Sequence, residues 1–227
     1  MFPGKITRVD SNPLTSDIDR HYYYPLFLDI TGKNCVIIGG GHVACRKARM
    51  LLKFHASVVV VSPKISAEIR LLDKAGKIQV VSRAYEPRDL DNAVIVFACT
   101  DDRDVNGAVR RDAAFRKIPV NVVDKPEECD CIVPSIVKKG DVTIAISTSG
   151  ILPMASKKIR RTIEKTVTGD YVAYVRIIGS LRRHLIRTVP DKALRARIMR
   201  SIAAIDMADI VTMGLKGIKK IVKDQMS

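Results

Sequence analysis

The chain has 227 residues, 47% of them hydrophobic and 28% charged, which suits one large domain or a medium domain with a smaller companion. No apolar run approaches the ~18 residues of a membrane span. An aromatic share of 5%, no Trp and no recognised binding motif argue against nucleic acid as the partner. The formal net charge is +15, and from Pro153 onward 17 Lys and Arg stand against 6 Asp and Glu. That third of the chain either faces something anionic or is a solvated basic surface.

Residues 1–20 carry Pro, Ser and Asp without the apolar stretch of a signal peptide, so they read as a loose leader and the expected location is cytoplasmic. The five cysteines are odd in number and show no CxxC spacing. Cys35 and Cys99 sit in apolar runs and read as small core residues. Cys129 and Cys131 flank Asp130 in EECDC, too thin a pattern for a metal site. The histidines His21, His42, His55 and His184 form no ligand spacing either, so no metal site is expected.

From Lys33 to Val123 apolar runs rich in Val and Ile recur: NCVIIG, SVVVVS, KIQVVS, AVIVFACT and PVNVV. Their lengths suit strands buried on both faces of a parallel sheet. Helical patterns lie between them at His42 to Phe54, Ser66 to Ala75 and Arg103 to Arg116, the last with Asp102 as a plausible cap. Strands alternating with helices imply right-handed βαβ units and a Rossmann-like, doubly wound α/β domain. Then CIVPSIVKKGDVTIAISTSG reads as a hairpin turning at Lys138-Lys139-Gly140-Asp141. A helix opens after Pro153, running from Met154 to Val167. The remainder reads as helices over Asp170 to Thr188, Pro190 to Ala204 and Asp206 to Asp224. The expected division is a leader (1–20), a dinucleotide-binding domain (21–130), a hairpin and helix (131–168) and a basic helical domain (169–227).

Gly39-Gly40-Gly41-His42-Val43-Ala44 fits the GxGxxG/A fingerprint. Gly39 permits the tight turn, Gly41 admits a pyrophosphate and Ala44 lets helix and strand pack closely. The helix opening at His42 and Val43 then points free N–H groups at the phosphates. The second strand ends in Ser62-Pro63-Lys64, where an acidic residue for the ribose is usual. Ser62 could bond a ribose and Lys64 could favour a 2′-phosphate, so residue chemistry leaves NAD and NADP open. FACTDD places Thr100 and Asp101 at the carboxyl edge of the fourth strand, as cofactor contacts or as plain loop and cap residues.

The basic helix after the glycines narrows the choice. GGGHVACRKARMLL with YYPLFLDITGKN before it, FACTDDRDVN, and VNVVDKPEECDCIVPSIVKKGDVTIAISTSGILPMASKKIR occur in order over roughly Tyr22 to Arg161. Together they resemble the precorrin-2 dehydrogenase family, the N-terminal part of siroheme synthases. That resemblance implies NAD-dependent oxidation of precorrin-2 to sirohydrochlorin, and a homodimer that exchanges its hairpin-and-helix region. It places the essential aspartate at Asp124, as general base or as a group that positions the macrocycle; from the residues alone Asp124 reads first as a turn residue before Lys125-Pro126. A polycarboxylate tetrapyrrole calls for arginines. Arg182 and Arg183 are the first candidates, with Arg187, Arg195, Arg197 and Arg200 behind them. Ser147 and Thr148 are candidate substrate contacts or a simple turn, and Ser149 departs from the glycine usual in the family. Some members also insert iron, and others leave that to a separate chelatase. The rival reading is an NAD-sensing Rossmann domain without chemistry.

Overall fold

A computed structural model describes residues 22–224. The expected leader lies outside the described residues. The chain divides into two units after Val133.

The first unit is built on five parallel strands: β1 (Asn34–Ile38), β2 (Ser57–Val61), β3 (Gln79–Val81), β4 (Ile95–Ala98) and β5 (Val120–Val122), in the spatial order β3-β2-β1-β4-β5. The helices α1 (His42–Leu52), α2 (Ala67–Lys74) and α3 (Arg103–Phe115) connect them. Because side chains alternate along a strand, β1 feeds two cores. Cys35 and Ile37 pack with Ala44, Ala48 and Leu51 of α1 and Ile69 of α2. Val36 and Ile38 pack on the other face with Val109 and Ala113 of α3. Burial on both faces explains why these strands are unbroken Val/Ile runs rather than alternating ones. The strand order reverses between β1 and β4, which opens the crevice where such sheets bind ligands.

Local chemistry sets the helix limits. Ser66 and Asp102 cap α2 and α3 with side-chain oxygens accepting from Ile69 N–H and from Asp104 and Val105 N–H. His55, just past α1, takes a left-handed φ of 58° and closes that helix. Two single-turn 3-10 segments, Pro87–Leu90 and Pro126–Glu128, have no counterpart in the sequence reading. Both begin on a proline at the first turn, where its missing N–H costs nothing.

The second unit holds the antiparallel hairpin β6 (Ser135–Lys139) and β7 (Val142–Ile146), then α4 (Pro153–Thr166), α5 (Gly169–Thr188), α6 (Lys192–Ala203) and α7 (Met207–Asp224). The first strand starts at Ser135 rather than Cys131, because Asp130 and Cys131 are already bonded to β5. The turn is Gly140-Asp141. Gly140 has φ +54°, and a Cβ there would stand 2.5 Å from Val172 Cγ1. Lys139 reaches the last turn of α4 and donates to the carbonyls of Glu164 (2.7 Å) and Val167 (2.8 Å). Leu181 and Leu185 of α5, Ile198 and Ile202 of α6, and Ile210, Ile218 and Val222 of α7 form the helical core. The expected single helix at the end of the chain is interrupted at Gly214, whose φ of 62° and ψ of −177° are open to glycine alone.

Candidate functional site

The three glycines do different work. Gly39 has φ +121°, and a Cβ there would lie 2.5 Å from the Cys99 carbonyl oxygen at the end of β4. Gly40 abuts the loop after β2: an added Cβ would meet the Lys64 carbonyl oxygen at 2.0 Å and Ser62 Oγ at 2.9 Å. Its own carbonyl accepts from Ser66 N–H at 2.8 Å. The turn is therefore wedged between the ends of β4 and β2. Gly41 is the exception, since a Cβ there would find nothing within 4 Å. It opens α1 with φ −86° and ψ −169° and no side-chain cap.

That contrast is a test of fit for a dinucleotide. The first N–H groups of a helix need partners from outside it. Side chains supply them at α2 and α3, whereas at α1 none does. Open space over Gly41, beside uncapped N–H groups at the positive end of a helix, fits a pyrophosphate. Ala44 is fully buried, as close helix–strand packing requires.

The other expected cofactor residues gather at the same edge. Ser62 is 7% exposed, and its hydroxyl donates to the Lys64 carbonyl at 2.7 Å. It shapes the loop and has no hydroxyl proton left for a ribose. Pro63 and Lys64 are exposed. Thr100 is locked by Asn106 of α3, a residue the sequence reading passed over. Asn106 Nδ2 donates to the Thr100 carbonyl at 2.9 Å, while its Oδ1 lies 2.8 Å from Thr100 Oγ1 and 3.3 Å from Thr100 N. Asp101 is exposed, and Asp102 caps α3. His42, Val43 and Gly41 stand at the helix start, with His42 Nδ1 3.5 Å from Glu68 Oε1 of α2.

Asp124 follows β5 at this same carboxyl edge. Its backbone is left-handed, with φ 61°. Its side chain is exposed and makes no ion pair or hydrogen bond among the described residues. An unengaged carboxylate beside the crevice can accept a proton.

Ser147, Thr148, Arg182 and Arg183 belong to the second unit. Ser147 Oγ accepts from Ser149 N–H at 2.9 Å, and Thr148 Oγ1 donates to the Leu152 carbonyl at 3.1 Å, so both hydroxyls close the turn before α4. Arg182 and Arg183 are exposed on α5, the latter donating to Ser180 Oγ. Arg195 is spent on the carbonyls of Val189 (2.6 Å) and Pro190 (2.8 Å), which removes it as a free cation. Arg187, Arg197 and Arg200 remain exposed. Burial pushes the thiols of Cys35, Cys99 and Cys131 up to about 11. Among the described residues, no group of three or more His, Cys, Asp or Glu is placed to hold a metal ion, and no helix is long and apolar enough to cross a membrane.

Comparison with known proteins agrees with this geometry. A family model described as putative NAD(P)-binding matches residues 26–135. The siroheme synthase of Thioalkalivibrio sulfidiphilus is 37% identical over 175 residues, 77% of this chain and 36% of that one. The siroheme synthase of Methylobacillus flagellatus is 42% identical over 147 residues, 65% of this chain and 32% of that one. This chain thus spans about a third of these curated relatives. The solved structure of SirC, a precorrin-2 dehydrogenase, matches with a TM-score of 0.68 at 25% identity, covering 89% of this chain and 98% of that one.

Proposed function

The chain belongs to the precorrin-2 dehydrogenase and siroheme synthase family, and from that premise we propose that it oxidises precorrin-2 to sirohydrochlorin with NAD⁺. The observation that carries the reading is the likeness to SirC over nearly the whole of both chains, with the open Gly41 turn where a dinucleotide is needed. NAD⁺ supplies the hydride acceptor when bound. Gly41 and the first N–H groups of α1, at His42 and Val43, hold the phosphates. Gly39, Gly40, Ser62 and Pro63 shape the walls of the turn, and Lys64 with the Thr100–Asp101 edge lies against the rest of the nucleotide.

The oxidation removes one hydride and one proton from the reduced macrocycle. Asp124 takes the proton at its carboxylate, which has no hydrogen bond or ion pair among the described residues. The macrocycle's acetates and propionates draw Arg182 and Arg183, with Ser147 and Thr148 as lesser contacts. Two copies pair through the hairpin and α4, a reading supported by Ile151, Leu152 and Met154, which are 70%, 53% and 76% exposed. A cytoplasmic location suits this chemistry and the five free cysteines.

The test is anaerobic. Precorrin-2 made enzymatically is incubated with the protein and NAD⁺, or with NADP⁺ in parallel, while NADH and the sirohydrochlorin spectrum are followed together. Both signals with NAD⁺, and neither with Asp124→Ala, support the proposal. Intact NAD⁺ binding without turnover in the wild type sinks it in favour of a sensing domain.

A further inference from the structure

The bend that carries Asp124 is held by buried groups that cofactor binding does not use. A non-glycine residue in the left-handed region costs about 1–2 kcal/mol, and Asp124, at φ 61°, makes no side-chain hydrogen bond or ion pair among the described residues that would offset it. Its conformation is therefore imposed by what surrounds it.

Cys129 is the first such group. It is 6% exposed and turns its thiol into the concave side of the bend. Sγ accepts from Val122 N–H at 3.2 Å and lies 3.2 Å from the Val122 carbonyl and 3.3 Å from the Lys125 carbonyl. Val122 N–H points to the outer margin of β5, where no strand follows, so the thiol supplies the partner that a ladder would. Val122 before Asp124 and Lys125 after it are thus both tied to the one thiol.

Asn121 is the second. It is 8% exposed in the middle of β5, an amide among valines. Its Nδ2 donates to the Cys131 carbonyl at 2.9 Å and stands 3.6 Å from Cys129 Sγ. Its Oδ1 accepts from Lys47 Nζ at 2.9 Å. Lys47 is on α1, five residues past His42, and its ammonium is 5.0 Å from the centre of the Phe97 ring. A lysine pointed into a sheet that could have been covered by leucine costs desolvation, and burial indeed pulls its pKa below the ordinary range. The contact it gains links the helix proposed to face the phosphates to the strand that leads into Asp124.

We propose that Lys47, Asn121 and Cys129 form a buried positioning array that fixes the Asp124 carboxylate relative to the start of α1, and hence to the cofactor. The array rests on the reading of Asp124 as the base. Its residues touch neither substrate nor cofactor; they set the geometry of a group that does. Misplacing a reacting group by about 1 Å can cost about 100-fold in rate.

The experiment uses the whole chain and the anaerobic precorrin-2 assay, with Asp124→Ala, Cys129→Ala, Cys129→Ser and Lys47→Met. Rates are expressed per NADH-binding site titrated, so that losses of folded protein do not count. Cys129→Ala and Lys47→Met are expected to lower kcat by about 10- to 100-fold, with KM for precorrin-2 and Kd for NADH changed less than about threefold. Cys129→Ser keeps a hydrogen-bonding group and is expected to recover most of kcat. Should Cys129→Ala not accumulate, Lys47→Met carries the same reading alone. A full kcat per site in Lys47→Met, with Asp124→Ala inactive, leaves the base in place and overturns the array. A fully active Asp124→Ala overturns the base itself, and the array with it. Losses confined to yield and melting temperature, with kcat per site unchanged, reduce Cys129 and Lys47 to structural residues and also overturn the proposal.

Discussion

Replacing Gly41 by Ala isolates the proposed phosphate-binding role of the turn from its folding role. The backbone at Gly41, φ −86° and ψ −169°, suits any residue, and the space a methyl would enter is empty to 4 Å. The free protein should therefore tolerate the change, or gain about 0.4–1 kcal/mol from the stiffer unfolded chain. On the proposed cofactor site, the same methyl would stand where the pyrophosphate approaches the helix start. Losing one N–H bond to a charged phosphate costs about 1.5–3 kcal/mol, a roughly ten- to hundredfold rise in Kd. Gly40→Ala is the counterpart: its Cβ would sit 2.0 Å from the Lys64 carbonyl oxygen, a backbone atom, so the fold itself must give. That strain should cost about 1–3 kcal/mol. Thermal melting and titration with NADH fluorescence separate the two effects. A Gly41→Ala protein that binds NADH like the wild type would show that the phosphates lie elsewhere, and the argument from the uncapped helix would fail.

Other outcomes follow from the same geometry. Asn106→Ala leaves the Thr100 carbonyl and amide without their partner and should destabilise the first unit by about 1–3 kcal/mol, read by urea unfolding, with weaker NADH binding besides. Lys139→Met removes both hydrogen bonds that its ammonium donates to the carbonyls at the end of α4, so amide exchange around residues 164–167 should quicken while exchange in β1 does not change. The thiols of Cys35, Cys99 and Cys131 are raised from 9.0 to about 11 in the folded chain. The unfolded chain then holds fewer protons than the folded one once pH passes 9. Their contribution to stability is present in full below pH 9 and is lost as pH climbs toward 11. Unfolding midpoints that stay level across that window would contradict the burial of these thiols.

Much of the first unit is legible in the sequence because its strands are buried on both faces. A run such as SVVVV admits few other readings, and the start of α1 follows from the glycines. What is hidden depends on long-range partners. The stretch from Cys131 to Pro134 has strand composition, yet β5 claims Asp130 and Cys131 first. Ser62 has the right place for a ribose contact, but Gly40 presses the loop so that its hydroxyl turns onto Lys64. Arg195 reads as one more surface cation until the carbonyls at the end of α5 are seen to occupy it. Asn121 did leave a signal, since an amide inside VNVV is costly unless bonded. The bond it makes, to a lysine 74 residues earlier, leaves no mark in local pattern.

The way β5 is finished has a consequence for solubility. Both margins of the five-stranded sheet are strands of three residues, β3 and β5. Along β5 the outward groups are already taken: Val120 N–H by Asp130 Oδ2, the Val120 carbonyl by Asp130 N–H, and Val122 N–H by Cys129. A margin so short and so filled gives another chain nothing to extend along β5, which blocks edge-to-edge pairing on that side of a Val-rich sheet. The segment EECDC closes this margin.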